Sequence, residues 1–452
     1  MLTVAHKPEL KAPEACAADF LQRLRAPARL LLALSGGSDS TAMLIAFHAA
    51  LRGTAAEGHQ LCAVTVDHGL RPDAKAEAAA VARLCADLQI PHRICLWAGA
   101  KPQARLQATA REARYRLLRQ VAVDMKASAV LLGHTRDDQI ETVAMRQARL
   151  DPRQPVSAGL AGMAAATLYD GDCWLLRPFL GQSRSDLQAY LSDQRIAWID
   201  DPSNRDERFE RVRVRLAKRP YRLEGRQIAL AALHRESRAS AIADLIGAFG
   251  RNWMNVLFCL DRRWPHCETE LAAHALAELT ALAGGRAFLP GREQIERLHA
   301  FLDAGKPGRL SIGRAIVDIR RNTVFTYRDN RDLPDCLLQP GERTVWDGRF
   351  VIENRDPQSA LRISAAGEVQ HAAVPACDER IPQALRRRAG ASLPVICRAG
   401  EGVEGQAQPT ASIQRRIPRH DTFLPAFDLK LADAMASLVA RPSYGEAPVY
   451  RD

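Results

Sequence analysis

Residues 30–45 read Leu30-Leu-Leu-Ala-Leu34-Ser35-Gly36-Gly37-Ser38-Asp39-Ser40-Thr41-Ala-Met-Leu-Ile45. An apolar run, a Gly-rich hexapeptide and a second apolar run follow one another without a gap, the pattern of a buried strand, a tight turn and a helix. Two adjacent glycines let the backbone approach an anion closely, while the free N–H groups and dipole of the helix N-terminus attract it. Ser35, Ser38 and Ser40 add hydroxyl donors, and Asp39 is a natural ligand for a phosphate-bound Mg²⁺. The stretch is not G-x-x-x-x-G-K-[ST], so it is not the loop that transfers or hydrolyses a terminal phosphate. A Gly-Ser turn can also be purely structural. The full hexapeptide at the end of the first strand favours a phosphate site.

Working outward, residues up to about 200 alternate strand-like runs (28–34, 61–67, 92–97, 129–133 and 173–177) with helical patterns starting near Ser38, Asp73, Ala104 and Asp137. This alternation predicts a doubly wound α/β domain with a parallel sheet, whose ligands lie beyond the C-terminal strand ends. The basic stretch Arg208–Lys218 ends at Arg219-Pro220, and long Ala- and Leu-rich helical stretches follow at 228–250 and 268–283. Beyond Pro307, short alternating runs at 309–317, 324–327 and 349–352 predict a smaller β-containing region, with a Gly- and Gln-rich loop at 400–410. The expected division is therefore 1–218, an α/β domain; 219–305, a helical domain; and 306–452, a mixed, β-containing domain.

The chain has 452 residues, more than one core usually fills, and 63 basic against 52 acidic side chains give a formal net charge of +11. Most of the basic residues are arginine, whose planar fork suits phosphate and stacks on bases, so a polyanionic partner and a merely solubilising charge are both compatible with the balance. No apolar run is long enough to span a bilayer, and the charged first twenty residues do not resemble a signal peptide, so a cytoplasmic location without a membrane partner is expected. The ten cysteines are scattered, with no C-x-x-C pair and no zinc spacing, the pattern of reduced structural thiols.

Two further motifs fall where the fold places ligands: Asp67-His68-Gly-Leu-Arg71 after the second strand and His134-Thr-Arg-Asp-Asp138-Gln-Ile-Glu141 after the fourth. Asp138 and Glu141, three apart on one helix face, can hold Mg²⁺ or bind an amine. Helix capping by Thr135 or Asp137 competes for the first acidic pair, whereas Glu141 lies one turn too deep to cap. Arg111 and Arg114 share a face of the preceding helix, either solvated or functional.

The hexapeptide resembles that of the PP-loop ATP pyrophosphatases, which split ATP into AMP and pyrophosphate while adenylating a substrate. In order, the S-G-G-S-D-S loop, D-H-G-L-R, A-R-E-A-R-Y (110–115), H-T-R-D-D-Q-I-E-T (134–142), G-L-A-G-M (159–163), L-R-P-F (176–179) and W-I-D-D-P-S-N (198–204) make residues 28–216 resemble the catalytic domain of the tRNA(Ile)-lysidine synthetases. The resemblance implies adenylation of the wobble cytidine of a CAU-anticodon tRNA(Ile) and displacement of AMP by free L-lysine. It places Ser35, Gly36, Gly37, Ser38, Asp39, Ser40, His68 and His134 around ATP and assigns Asp39 and Asp138 to Mg²⁺. Glu141 goes to the metal or the lysine amine, Arg114 to the adenylated intermediate or the base, and Arg111, Arg211 and Arg215 to tRNA. A carboxylate, His68 or His134 would accept the lysine proton. Sulfur-transferring relatives use paired cysteines that this chain lacks. Two departures stand out: Val212 sits where the family carries an Asn, and Arg149–Ser157 replaces a short Gly-rich turn. They leave a noncatalytic tRNA-binding relative as an alternative. Beyond residue 220, Arg386–Arg388 and Arg415–Arg419 are candidates for tRNA phosphates or simply solvated surface.

Overall fold

A computed structural model describes residues 12–53, 58–99, 101–102, 106–148, 158–200, 210–216, 225–264, 269–367, 381–399 and 410–450. The loop 149–157, the stretch 201–204 of the last motif, the Arg219-Pro220 boundary and 400–409 lie outside the described residues.

The chain divides into two compact units: Met1–Glu236 with Pro425–Phe427 and Gly445–Asp452, and Ser237–Leu424 with Asp428–Tyr444. In the first, the elements are α1 (Pro13–Gln22), β1 (Arg29–Ala33), α2 (Ser38–Leu51), β2 (Gln60–Asp67), α3 (Ala74–Asp87), β3 (His92–Leu96), α4 (Leu106–Asp124), β4 (Ala129–Leu132) and α5 (Arg136–Gln147). They continue with β5 (Ala166–Tyr169), β6 (Cys173–Leu176), α6 (Arg184–Asp193) and α7 (Glu210–Leu216).

Strand order in this unit is β5-β6-β4-β1-β2-β3, with every pair parallel except β5–β6. The order is the doubly wound one expected. Strands β1, β2 and β3 step one way, β4 returns to the other flank of β1, and the switch point lies between β1 and β4. Apart from the exposed Arg29 that opens β1, both strands carry small or aliphatic side chains only, and Leu30–Ala33 and Ala129–Leu132 are buried throughout. A parallel strand covered on both faces must be apolar on both, and that is what Leu-Leu-Leu-Ala and Ala-Val-Leu-Leu supply. Helix α2 is buried at nine of its first ten positions, from Ser38 to Phe47, so the helix that opens at the Gly-rich turn is a core element held on all sides.

The second unit begins within α8 (Gly225–Phe249) and continues as β7 (Gly250–Trp253), β8 (Leu257–Asp261), α9 (Thr269–Gly284), α10 (Arg292–Asp303), β9 (Gly308–Ile312), β10 (Ala315–Ile319) and β11 (Thr323–Arg328). These strands form one antiparallel sheet, β7-β8-β11-β10-β9, sharing a core with Ile242, Ile246, Leu276, Leu279 and Leu298 of the three helices. The helical stretches are where the sequence puts them, but the expected boundaries at 218/219 and 305/306 are not where the units divide. Residues 250–261 form a hairpin whose β8 pairs with β11, joining the two segments in one sheet. Two three-stranded sheets complete the unit: β12 (Cys336–Leu338) with β15 (Leu361–Ala365) and β16 (Pro394–Arg398), and β13 (Arg343–Trp346) with β14 (Phe350–Asn354) and β17 (Ala411–Arg415).

Here a buried carboxylate, Asp347, is surrounded by three arginines. Arg349 Nε is 2.5 Å from Oδ2, Arg328 Nε is 3.0 Å away, and Arg314 donates to Oδ1. The Arg415 guanidinium is buried too, donating to the carbonyls of Arg349 and Leu282 at 2.8 Å each, so it is committed inside the unit and not presented to a phosphate.

Candidate active site at the sheet switch point

The turn after β1 is built for close approach. Gly36 has φ +80°, and a Cβ there would lie 2.5 Å from Ile199 Cδ1, so glycine is required for conformation and for space. The Ile199 N–H donates to the Gly36 carbonyl at 2.9 Å, tying the turn to the Trp198–Asp200 stretch. Gly37 caps α2 in an extended conformation without a side chain. Ser40 Oγ accepts from the Ser35 N–H at 3.2 Å and donates to the Gly37 carbonyl at 3.1 Å, closing the loop on itself. Across the switch point, a Cβ on Gly133 would meet Ser40 Cα at 3.1 Å, so the residue after β4 packs on the first turn of α2.

Helix α5 starts with a capping box: Thr135 N–H donates to Asp138 Oδ2 at 2.8 Å, and Thr135 Oγ1 accepts from the Asp138 N–H at 3.5 Å. One Asp138 oxygen is thus a cap, and the other faces the site. Asp137 turns to the Arg184 N–H at 2.8 Å and ties α5 to α6.

Arg184 is the side chain that organises this centre. Its Nε donates to Asp39 Oδ2 at 3.1 Å, one terminal nitrogen lies 3.4 Å from Asp138 Oδ1, and the other lies 3.7 Å from Glu141 Oε1. Glu141 is also gripped from α7, by Arg215 Nε on Oε1 and Arg211 Nε on Oε2, each at 2.7 Å, and Arg211 reaches Asp138 Oδ1 at 3.3 Å. Three carboxylates from two helices therefore meet three guanidiniums. Burial pushes the Asp39 carboxyl above its ordinary value, with Arg184 and Ser38 pulling it down and Asp138 adding to the rise.

Beside this centre a cleft of about 700 Å³ opens between the ends of β1 and β2 and the faces of α4 and α7, lined among others by Ser35, Asp67, His68, Arg114, Arg211 and Arg215. Arg114 has no carboxylate partner among the described residues, whereas Arg111 is exposed and lies over the Tyr115 ring at 4.9 Å. His68 packs edge-on against Trp97, and its buried Nδ1 has no hydrogen-bond partner among the described residues. Burial lowers the His68 imidazole, as does Arg114, against the opposing charge of Asp67. Val212 is buried in the wall of the cleft. His134, at the end of β4, accepts a hydrogen bond on Nδ1 from Arg177 Nε at 3.2 Å.

A PP-loop domain family matches residues 11–220. The tRNA(Ile)-lysidine synthase of Rhizobium meliloti (strain 1021) is 38% identical over 449 residues, spanning 96% of each chain. The chain belongs to the tRNA(Ile)-lysidine synthase family. Other tRNA(Ile)-lysidine synthases are similar over nearly the whole length: that of Mesorhizobium japonicum is 38% identical, covering 92% of this chain and 93% of its own, and that of Brucella anthropi is 34% identical, covering 91% and 94%.

Within this member of the synthase family, the structure brings Asp39, Asp138, Glu141, Arg211 and Arg215 together and puts His68 and Arg114 in the adjoining cleft. Arg211 and Arg215, expected on tRNA, here spend their Nε donors on Glu141. Arg184 did not stand out in the sequence, and Arg177 appeared there only within the L-R-P-F motif, with no role of its own. The signal available was position: Arg177 immediately follows β6 and Arg184 opens α6 behind the Ser183 cap, both at the C-terminal edge of the sheet. Among the described residues no three or more His, Cys, Asp or Glu side chains are gathered as an ion cage. Two carboxylates sharing one cation position nevertheless fit Mg²⁺ on a nucleotide, which takes one or two protein carboxylates and completes its shell with phosphates and water. Asp39 and Asp138 share such a position through Arg184.

Proposed function

We propose that the protein ligates free L-lysine to C2 of the wobble cytidine of the CAU-anticodon tRNA(Ile), consuming ATP and releasing AMP and pyrophosphate. The observation that carries the reading is the near full-length, 38% identity to a tRNA(Ile)-lysidine synthase, in a chain whose Gly-rich turn and acidic helix meet at the switch point. ATP binds with its phosphates against the Ser35–Ser40 turn and the N-terminus of α2, where free N–H groups and the helix dipole face the anion. Asp39 and Asp138 are the residues that would hold Mg²⁺ at the phosphates, where it would supply positive charge against the departing pyrophosphate.

The first step forms a bond from the cytidine C2 oxygen to the α-phosphorus and breaks the bond to pyrophosphate. Arg114, half-buried and unpaired with any described carboxylate, suits the negative charge of the phosphate that joins the base to AMP in the adenylated intermediate. In the second step the neutral lysine ε-amine attacks C2 and AMP leaves. Glu141 suits the incoming ammonium group, once its arginine partners have turned to anionic oxygens of RNA. Arg111, exposed on α4, and Arg211 and Arg215 on α7 supply that positive face. The chain acts where tRNA is modified, in the cytoplasm, and no described helix is long and apolar enough to cross a membrane.

The test is to incubate the full chain with ATP, Mg²⁺, labelled lysine and the CAU isoleucine tRNA, then analyse the nucleosides by mass. Lysidine at the wobble position is expected. A thiolated cytidine, or RNA without lysine, rejects the reading.

A further inference from the structure

Arg177 is a buried cation with an unusual set of partners. One terminal nitrogen donates to the Ala164 carbonyl at 2.8 Å and to Thr167 Oγ1 at 2.9 Å, Nε donates to His134 Nδ1 at 3.2 Å, the guanidinium also hydrogen-bonds the Tyr115 side chain, and no carboxylate among the described residues pairs with it. A guanidinium has donors only and stays protonated in proteins. The ring nitrogen facing its Nε–H must therefore be a lone pair. That leaves the single imidazole proton on Nε2, and Nε2 finds no acceptor among the described residues. Adding a second proton would set N–H against N–H inside a pocket already bearing Arg177, so the doubly protonated ring is disfavoured for the same geometric reason. Burial and the charges of Arg177, Arg114, Arg111 and Arg211 act in the same direction and hold the His134 imidazole well below its ordinary value. The backbone next to His134 packs on Ser40 of the phosphate-binding turn, so this neutral donor stands at the switch point itself.

We infer that Arg177 is a positioning residue that locks His134 as its Nε2–H tautomer, making His134 a neutral hydrogen-bond donor to a phosphate oxygen of the bound nucleotide. Two consequences follow for the reaction. His134 cannot take the proton of the lysine amine, because its only lone pair is occupied by Arg177. It can stabilise charge on the phosphate without changing protonation state. A donor already fixed in place needs no reorganisation when that charge develops. The guanidinium behind the ring adds to the same effect, since an anion in front of His134 is a counter-charge that no carboxylate among the described residues supplies.

The donor role rests on the ATP-site reading above, whereas the tautomer does not, and the experiment separates them. In the full-length protein labelled with ¹⁵N-histidine and free of nucleotide, long-range ¹H–¹⁵N correlation should show His134 with a bare Nδ1 and a protonated Nε2. A protonated Nδ1 overturns the inference. Arg177→Met, which keeps the volume and removes the donors, should give a mixture of both tautomers, and an unchanged spectrum overturns the positioning role. In adenylyl transfer to tRNA, His134→Gln retains an N–H donor near the Nε2 position and should stay within about tenfold of wild type, while His134→Ala should lose about 10²–10³-fold. Equal losses for Gln and Ala overturn the donor role. Because the wild-type spectrum and the His134 pair do not depend on Arg177→Met, a folding defect in that variant leaves the inference testable. A protein with the expected tautomer that never attaches lysine to RNA would count against the proposed function alone.

Discussion

Replacing Arg184 by Met exposes how the acidic centre is balanced. In the wild type the Arg184 side chain is 23% exposed and touches Asp39, Asp138 and Glu141, which are 17%, 10% and 7% exposed. Stripping the partner from a fully buried charge costs about 3–5 kcal/mol. Here Asp138 and Glu141 keep Arg211 and Arg215, and the site is partly wet, which brings the loss to about 1–3 kcal/mol. The same quantity should reappear in cation affinity. In the wild type a divalent ion must displace the guanidinium from Asp39 and Asp138; in R184M it need not. A difference of about 1–3 kcal/mol is about 5- to 150-fold, so R184M should bind Mg²⁺, or Mn²⁺ followed by electron paramagnetic resonance, that much more tightly in the absence of nucleotide. The pH dependence has a definite sign. Burial, then the opposing pull of Arg184 and Ser38, leaves the folded Asp39 carboxyl above its ordinary value, so the stability linked to that carboxyl is fully present below the unfolded value and is lost as pH rises through the folded one. Removing Arg184 raises the carboxyl further. The stability gap between R184M and wild type should therefore narrow as pH falls from neutral toward about 4. Divalent affinity in R184M no higher than in wild type would refute the idea that arginine and metal compete for these two carboxylates.

Three other outcomes are expected. Asp39→Ala should cut adenylyl transfer by at least about 10²-fold while leaving tRNA binding, measured by filter retention, near wild type, because the lost charge acts on the phosphates. Val212→Asn, which installs the amide that the family usually carries, puts a polar group at a buried position and should cost about 1–3 kcal/mol in urea unfolding, since its present neighbours are chosen for Val. Asp347→Asn leaves the fully buried Arg349 and the nearly buried Arg328 without their counter-ion and should destabilise the second unit by about 3–5 kcal/mol, read from the fluorescence of buried Trp346. Burial opposes ionisation of Asp347, but its three arginines hold the carboxyl below the usual range, so wild type should lose this stability on acidification below about pH 4 while the variant does not.

The parallel sheet was legible because a strand covered on both faces announces itself as a continuous apolar run. The runs at 28–34 and 129–133 differ from β1 and β4 only at their ends. The antiparallel strands were harder. Residues 166–169 and 250–253 are short and mixed in polarity; the first pairs through an Asp170-Gly171 turn in which both residues take positive φ, and the second through Met254 and Asn255, which take positive φ without any glycine to signal it. The run 309–317 splits into β9 and β10 where Gly313 and Arg314 both take positive φ. Helix α1 was not expected because it is short and mostly alanine-sized, with only Phe20 and Leu21 as large apolar side chains to mark its buried face. In the site, the loop and the α5 carboxylates could be read locally, each being a short motif with its own chemistry. Arg184 could not: it meets Asp39 across 145 residues, and no spacing rule connects them. Nor does sequence tell that Arg211 and Arg215, one turn apart on α7, are turned onto Glu141.

The central claim is that ATP adenylates the RNA base before lysine enters. It is tested most directly by supplying α-³²P-labelled ATP, Mg²⁺ and the CAU isoleucine tRNA without lysine, and then adding lysine in a chase. The account predicts label on the tRNA in the first stage and its release as AMP in the second, with one lysine gained per AMP. Label that never reaches the tRNA, or AMP released at the same rate with and without lysine, would contradict it.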